Sequence, residues 1–474
     1  MNKIKLIIII FLIPLFGIGQ IEKQSEIIKP QIDERVELLG VVFRLAEAEE
    51  YINGYLPQYT TLEDDYFVEY KKHKLIDFTK KIRRKNGVGY DAVMNLAVNL
   101  TIDDNKILIN KNINKDNIDS RWGKYLDKYI ILLNDFYTET SFHNFFKSNK
   151  EFYKKTEVNF TEILSKINFK WFDEYYRQTP ENDFNLIIAL NTNGGNYGAD
   201  VEYSDGSKNI FSIIGAWQTD SLGIPTFNND YILLIIHEFS HSYCNPVIDK
   251  NYDILREKAD EIFKPVKDKM KRQAYSNSKT MLYETLVRAS VIKYLQANID
   301  SVMITTEKVK RLITREYVKG FIWIRELVDL LDKYIGGDYK NLNEFALKIA
   351  ELQNSISVEE KINEINNNSA NIISSTPTKN ENNVDPNLTR IIIEFDKSML
   401  FVNGLAYGKG GKKTFPEIEN SEWNKETKKQ YIMKVRLEPN KEYSIKFPKE
   451  FFSDEEYGYP LKETYILNFK TAKE

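Results

Sequence analysis

Residues 237–241 read His-Glu-Phe-Ser-His, and no other stretch of the chain joins residue types and spacing so suited to chemistry. On a helix, His237 and His241 stand at i and i+4, on one face and about 6 Å apart along the axis, where two imidazoles reach a single Zn2+ ion. Glu238 then lies about 100° round the same turn, close enough to take a proton from water held by the metal, and is the expected general base. The chain has four histidines among 474 residues, and the other two, His73 and His143, lie far upstream.

A catalytic zinc site takes three protein ligands and leaves one position for water, so a third ligand is needed. The sixth position after His241, where one large protease branch carries its third histidine, is Val247, which points to a carboxylate instead. Asp249 follows closely, but after Pro246 it is expected on a loop. Glu257, Asp260 and Glu261 have the i, i+3, i+4 spacing of an ordinary solvated acidic face. Glu284 is the preferred ligand. Its segment is apolar round much of its circumference, with Leu282, Leu286, Ala289, Ile292 and Leu295 on one stripe and Val287, Val291 and Tyr294 on another. A carboxylate on so buried a helix needs a positive partner, and a metal is a good one. The competing reading is an i,i+4 pair with Arg288, which can also hold the carboxylate from behind; Asp249 and Asp260 stay open as other ligands.

With one Zn2+ on His237, His241 and Glu284, and Glu238 as base, the expected reaction is hydrolysis of an amide. Tyr252, Tyr275 and Arg288 are unranked candidates for the donor to the carbonyl oxygen. Cys244, three residues after His241, reads as a small apolar side chain rather than a ligand. As the single cysteine it excludes an intramolecular disulfide.

These side chains need rigid carriers. A helix over 231–243 is expected from the stripe Ile232, Ile235, Ile236, Phe239 and Tyr243, which buries the side away from the histidines, and Asn245-Pro246 should end it. Upstream, 184–190, 199–203 and 209–217 read as three strands of a small sheet. Between the first two, the run Asn193-Gly194-Gly195-Asn196-Tyr197-Gly198 is either a simple hairpin turn or a place where Gly194, Gly195, Asn196 and Tyr197 offer groups to an extended peptide. Residues 22–180 are mostly helical in pattern, for example 65–84, 91–102 and 121–137. Further helices are expected at 254–263, 276–297, 307–335 and 343–353.

Past about residue 355 the pattern changes. Asn366-Asn367-Asn368-Ser369 places a linker over 356–370, and residues 371–474 alternate with a period of two in several short segments, as in a β-sandwich. At the other end, Lys3 and Lys5 precede an apolar run from Leu6 to Phe16 and then Gly17-Ile18-Gly19, the order of a secretory signal over 1–19. That run is too short to span a bilayer, so export without a membrane anchor is expected, to the periplasm, cell surface or medium. Residues 20–355 form the expected catalytic part, and the fold class is α+β: mainly helical, with a small sheet beside the motif helix and an all-β C-terminal sandwich. The balance of 66 basic and 69 acidic residues, net −3, gives no field for nucleic acid or an anionic membrane.

The order of strands, histidine helix and glutamate helix resembles the gluzincin zinc peptidases, whose third ligand is a downstream glutamate. More closely, Asn193 to Gly198, His237 to His241, Asn245-Pro246, and Glu284 with Arg288-Ala289 look like the uncharacterised secreted bacterial family named domain of unknown function 4932, over roughly residues 30–355. The resemblance implies a secreted zinc metallopeptidase with peptide or protein substrates. The Gly-x-Met-Glu-Asn element of gluzincin aminopeptidases is absent, which favours an endopeptidase. From Ile372 and Pro377 through Val384-Asp385-Pro386-Asn387-Leu388-Thr389 to Ile393–Met399 the chain resembles bacterial Ig-like domains, which implies a spacer or a module for a cell-surface or glycan partner. The alternative is a surface binding or adhesion protein that keeps a protease fold, with the sandwich as its working part.

Overall fold

The computed structural model describes residues 28–180, 183–298, 306–400 and 404–473; the expected signal at 1–19 lies outside them. The chain is a mixture of helices and several small sheets, in keeping with an α+β class. Among the described residues no helix is long and apolar enough to cross a membrane.

All three expected strands near the motif are present, and their order is not sequential. Lys208–Gly215 is central, parallel to Asp183–Ala189 and antiparallel to Tyr197–Glu202. Alternation divides the first strand between two cores. Leu186 and Ile188 face one that includes the motif helix, while Ile187 and Ala189 face a second built from the N-terminal helices. Both faces of the sheet are therefore covered.

The motif helix departs most from expectation. It runs unbroken over Asn229–Lys271, with Pro246 and Pro265 inside it, and absorbs the separate helix expected at 254–263. An interior proline costs about 3 kcal/mol. Beyond it, however, Val247, Ile248, Leu255, Ala259, Ile262 and Val266 are all buried, and each large aliphatic among them returns about 1.5–3 kcal/mol. Packing overrides the local break.

Other boundaries differ for similarly local reasons. The 307–335 segment is two helices, Thr306–Lys319 and Ile324–Gly336, parted at Gly320 with φ +109°. The 65–84 segment is the end of Pro57–Phe67, a short 3-10 turn, and Lys74–Asn86, whose first turn is capped by His73 Nδ1 accepting from Leu75 N at 3.1 Å. The 91–102 segment ends as a helix at Asn99 and becomes the hairpin Leu100–Asp103 and Lys106–Ile109. Its turn residues Asp104 and Asn105 both take positive φ, the signature of a tight two-residue turn.

The linker expected at 356–370 is also helical, over Val358–Asn368. Val358 is buried and Ile362 and Ile365 pack on the main core, so an apolar face outweighs the Asn-rich end. The last hundred residues form two four-stranded sheets round one core. The alternating positions meet there: Ile391, Ile393, Phe395, Met433 and Val435 from one sheet, Tyr443, Ile445, Phe447, Leu467 and Phe469 from the other.

Candidate metal centre

The motif helix is fixed at its start and along one side. Asn228 caps it by accepting from Asp230 N at 2.9 Å, and Tyr231 stacks on Trp217 with ring centroids 3.6 Å apart. Ile232, Ile235, Ile236, Phe239 and Tyr243 are buried, as their spacing predicts, which leaves His237, Glu238 and His241 facing a cleft of about 530 Å³. Opposite runs the glutamate helix, Ser278–Ala297, capped by Asn277 accepting from Thr280 N at 2.8 Å. Glu284 is buried on it and projects into the same cleft.

Ligand atoms from His237, His241 and Glu284 all lie within 4.8 Å of one another, and among the described residues no other three His, Cys, Asp or Glu side chains converge in this way. The separations are 3.3 Å between the two Nε2 atoms and 3.5 Å from each Nε2 to a Glu284 oxygen. Tetrahedral bonds of the length zinc makes to nitrogen and oxygen put neighbouring ligands about 3.4 Å apart, so the triad fits one small tetrahedral cation. The rest of the donor set agrees. His241 Nδ1 donates to Asn245 Oδ1 at 3.0 Å, which fixes the ring with Nε2 aimed at the cleft.

Electrostatics separate the three groups. Burial holds His237 neutral, well below the usual histidine range. Burial pushes His241 the same way, but the hydrogen bond and charge of Glu284 outweigh it and raise the imidazole. Burial alone would raise Glu284; His241, His237 and Arg288 pull it far down instead, so it is a carboxylate. Burial raises Glu238 above the ordinary carboxylate range.

Behind Glu284 stands an ion network. Arg288 Nη2 donates to Glu284 Oε2 at 3.0 Å and to the Tyr275 hydroxyl at 3.0 Å, and Nη1 donates to Glu316 Oε2 at 2.9 Å. The guanidinium lies 4.8 Å from the Phe321 ring centroid. Arg288 therefore does pair with Glu284 at i,i+4, without displacing it from the histidines. The ion pair is therefore present, and it leaves Glu284 placed where it could also serve as a ligand.

The remaining candidates sort by position. Tyr275 lines the cleft, while Tyr252 bonds to Ser278 at 3.4 Å and Arg288 is occupied as described. Asp249 also lines the cleft, but Lys279 and Tyr283 hold it, and Asp260 accepts from Ser278 at 2.5 Å; neither joins the triad. Cys244 is fully buried against Tyr176 and Ser290. Within the glycine run only Gly198 reaches the cleft, beside Ala199 and Asp200 of its strand. Gly194, Gly195, Asn196 and Tyr197 are not brought to it. Gly194 takes φ +72° where a Cβ would stand 3.2 Å from Trp217, Asn196 accepts from Gly215 N at 3.1 Å, and Tyr197 stacks on Tyr51. This run is a turn packed over Gly215, but it is not the simple hairpin turn expected, because the two strands it joins do not pair with each other and both pair with Lys208–Gly215.

Two participants were not foreseen. Asn245 escaped because the helix was expected to end there; once the helix continues, 237, 241 and 245 repeat at four. Glu316 escaped because no local pattern ties it to a residue 28 positions away.

No curated protein matches the chain. Among solved structures it is similar to one titled "Structure of surface layer protein SbsC, domains 1-6", at 14% identity over 55% of this chain and 35% of that one, TM-score 0.17. The crystal structure of the S-layer protein rSbsC is similar at 13% identity over 52% and 33%, TM-score 0.18. The chain thus spans about a third of the length of these structures. The model of the family described as Domain of unknown function (DUF4932) matches residues 28–351, which include the motif helix, the glutamate helix and Glu316. The chain belongs to that family.

Proposed function

We propose that this chain is an exported zinc-dependent peptidase, acting internally on peptide chains, with an Ig-like C-terminal unit. The observation that carries the reading is the convergence of His237, His241 and Glu284 with tetrahedral spacing, beside Glu238, on the wall of an open cleft. Bound zinc supplies a lowered pKa for water and polarisation of a carbonyl.

The chain's own residues do the rest. Glu238, raised by burial, accepts the proton of the attacking water and returns it to the leaving amine. Asn245 fixes the tautomer and plane of His241, and Arg288 fixes the plane of Glu284. The Tyr275 hydroxyl accepts from Arg288 through its oxygen, which leaves its own proton to donate towards the carbonyl oxygen; burial keeps that hydroxyl protonated. The cleft is about 530 Å³ and runs between strand Tyr197–Glu202 and the motif helix, which suits a side-chain-bearing segment rather than a small metabolite alone.

Metal content and cleavage of a mixed peptide library by the wild type and by Glu238→Gln test this reading. Zinc near one ion per chain in both proteins, with cleavage only by the wild type, is expected. A chain that takes up no zinc, or equal cleavage by both proteins, sinks it and leaves the binding role as the better account.

A further inference from the structure

Helix Thr306–Lys319 touches the metal centre's ion network on one side and the C-terminal sheets on the other. Glu316 and Thr314 are two positions apart, so they point about 200° away from each other round the helix. On the inner side, Glu316 is buried and accepts from both Arg288 and Lys319, at 2.9 and 2.8 Å. Arg288 Nε has no partner among the described residues, so the guanidinium depends on Glu284, Tyr275, Glu316 and the Phe321 ring for its position.

On the outer side the contacts belong to the segment that links two C-terminal strands. Thr314 Oγ1 donates to the Gly458 carbonyl at 2.6 Å, Arg311 lies over the Phe451 ring at 4.8 Å, and Tyr317 meets Tyr459 edge to face at 5.0 Å. Tyr459 is only 1% exposed. Its hydroxyl accepts from Lys361 at 2.9 Å and donates to Glu364 at 2.5 Å, so it is bound to helix Val358–Asn368 as well. The turn that presents it is prebuilt: buried Asp454 accepts from the backbone of Tyr457 and Tyr459 at 2.6 and 2.7 Å. Gly320 closes the other end, where a Cβ would stand 3.1 Å from Met270 and 3.2 Å from Val266 of the motif helix. The helix is thus wedged between three bodies.

We propose that the C-terminal two-sheet unit is a structural part of the metal centre: by clamping helix Thr306–Lys319 it fixes Glu316, and through Glu316 the Arg288 guanidinium that orients Glu284. This rests on the metal reading above, and it makes Glu316 a positioning residue. Buried charge pairs have little tolerance for displacement, because each loses its partner's field while staying out of water. A sheet unit that merely trailed from the end of the chain would leave no buried tyrosine and no buried hydroxyl bond at its junction.

The test is zinc affinity of the full chain, measured by competition with a chromophoric chelator and accompanied by near-UV circular dichroism. Glu316→Ala is expected to weaken zinc binding by about 10- to 100-fold, with partial rescue by Glu316→Gln, which keeps an acceptor for Arg288. The interface variant Thr314→Val/Tyr459→Phe, whose residues touch no ligand, should weaken binding in the same direction by about 3-fold or more. Should that pair lose its fold, Arg311→Ala, which removes only the stack on Phe451, gives the same reading. Folded interface variants with wild-type zinc affinity overturn the proposal, as does an unaffected Glu316→Ala. A wild type that takes up no zinc removes both readings together, whereas zinc binding indifferent to these changes removes only this one.

Discussion

Two clusters of buried carboxylates lie in the part of the chain that the family model covers, and they titrate in opposite directions. Glu284 is surrounded by two imidazoles and a guanidinium and is held far below the ordinary carboxylate range. Glu37 and Glu63, on the first two helices, are buried too. Glu37 accepts from Leu190 N at 2.9 Å, from Tyr59 at 3.1 Å and from Asn191 at 3.1 Å, and Asn191 also donates to Glu63 at 2.7 Å. Their partners are mostly neutral, and burial raises them to about 7 and about 8; Arg44, 3.3 Å from Glu63, does not reverse it. Burial therefore does not mark a functional carboxylate. Glu284 differs in having charged partners and an open cleft beside it, whereas the Glu37 cluster ties the segment just after strand Asp183–Ala189 to the N-terminal helices.

The largest effect expected from this contrast is on chemistry. Glu238→Gln should retain zinc and lose about 10²- to 10⁴-fold in peptide cleavage, read from initial rates on a library-derived substrate. Next, Glu284→Ala should weaken zinc binding by more than the roughly 100-fold that changes outside the ligand set produce, whereas Glu37→Ala should leave zinc affinity near wild type. If removal of either glutamate has the same effect on zinc, the contrast is broken. Asn245→Ala, which frees the His241 ring, should reduce zinc affinity about 10-fold by chelator competition.

The smallest effect is on stability against pH. Glu37 titrates near 7 in the folded chain and at its ordinary 4.5 once unfolded, so between those values the folded state holds a proton that the unfolded state has released. Stability from this group is full below about pH 4.5 and is lost as pH rises through 7, by on the order of 3 kcal/mol. Urea unfolding of wild type and Glu37→Gln at pH 5, 6.5 and 8 measures it: the variant should show the shallower decline. Parallel declines would place the proton elsewhere.

The same contrast explains what could be read in the linear chain. His237, Glu238 and His241 declare themselves because the spacing that brings them to one cleft is local to about one helix turn. Glu284 is legible at one remove, since a charge amid Leu282, Leu286 and Val287 has to be paired with something. Glu37 and Glu63 give no such sign, because a glutamate on an amphipathic helix reads as solvated until the tertiary fold covers it. Alternation in the C-terminal strands was as clear as the motif, with Ile391, Ile393 and Phe395 inside, while the pairing order of those strands was not in the pattern at all. Local breakers misled most. Pro246 and Asn366 to Ser369 carry strong signals for ending structure, and long-range burial of their neighbours overrode both.

Pro246 has a mechanical consequence. It removes one N–H from the ladder of a 43-residue helix, and both histidines lie before it. About 25 residues follow, so a tilt of 5° at this joint would carry the far end by roughly 3 Å. Such a tilt would drive Val266 and Met270 onto Gly320, so the buried far arm acts as a strut that holds the joint at Pro246 straight.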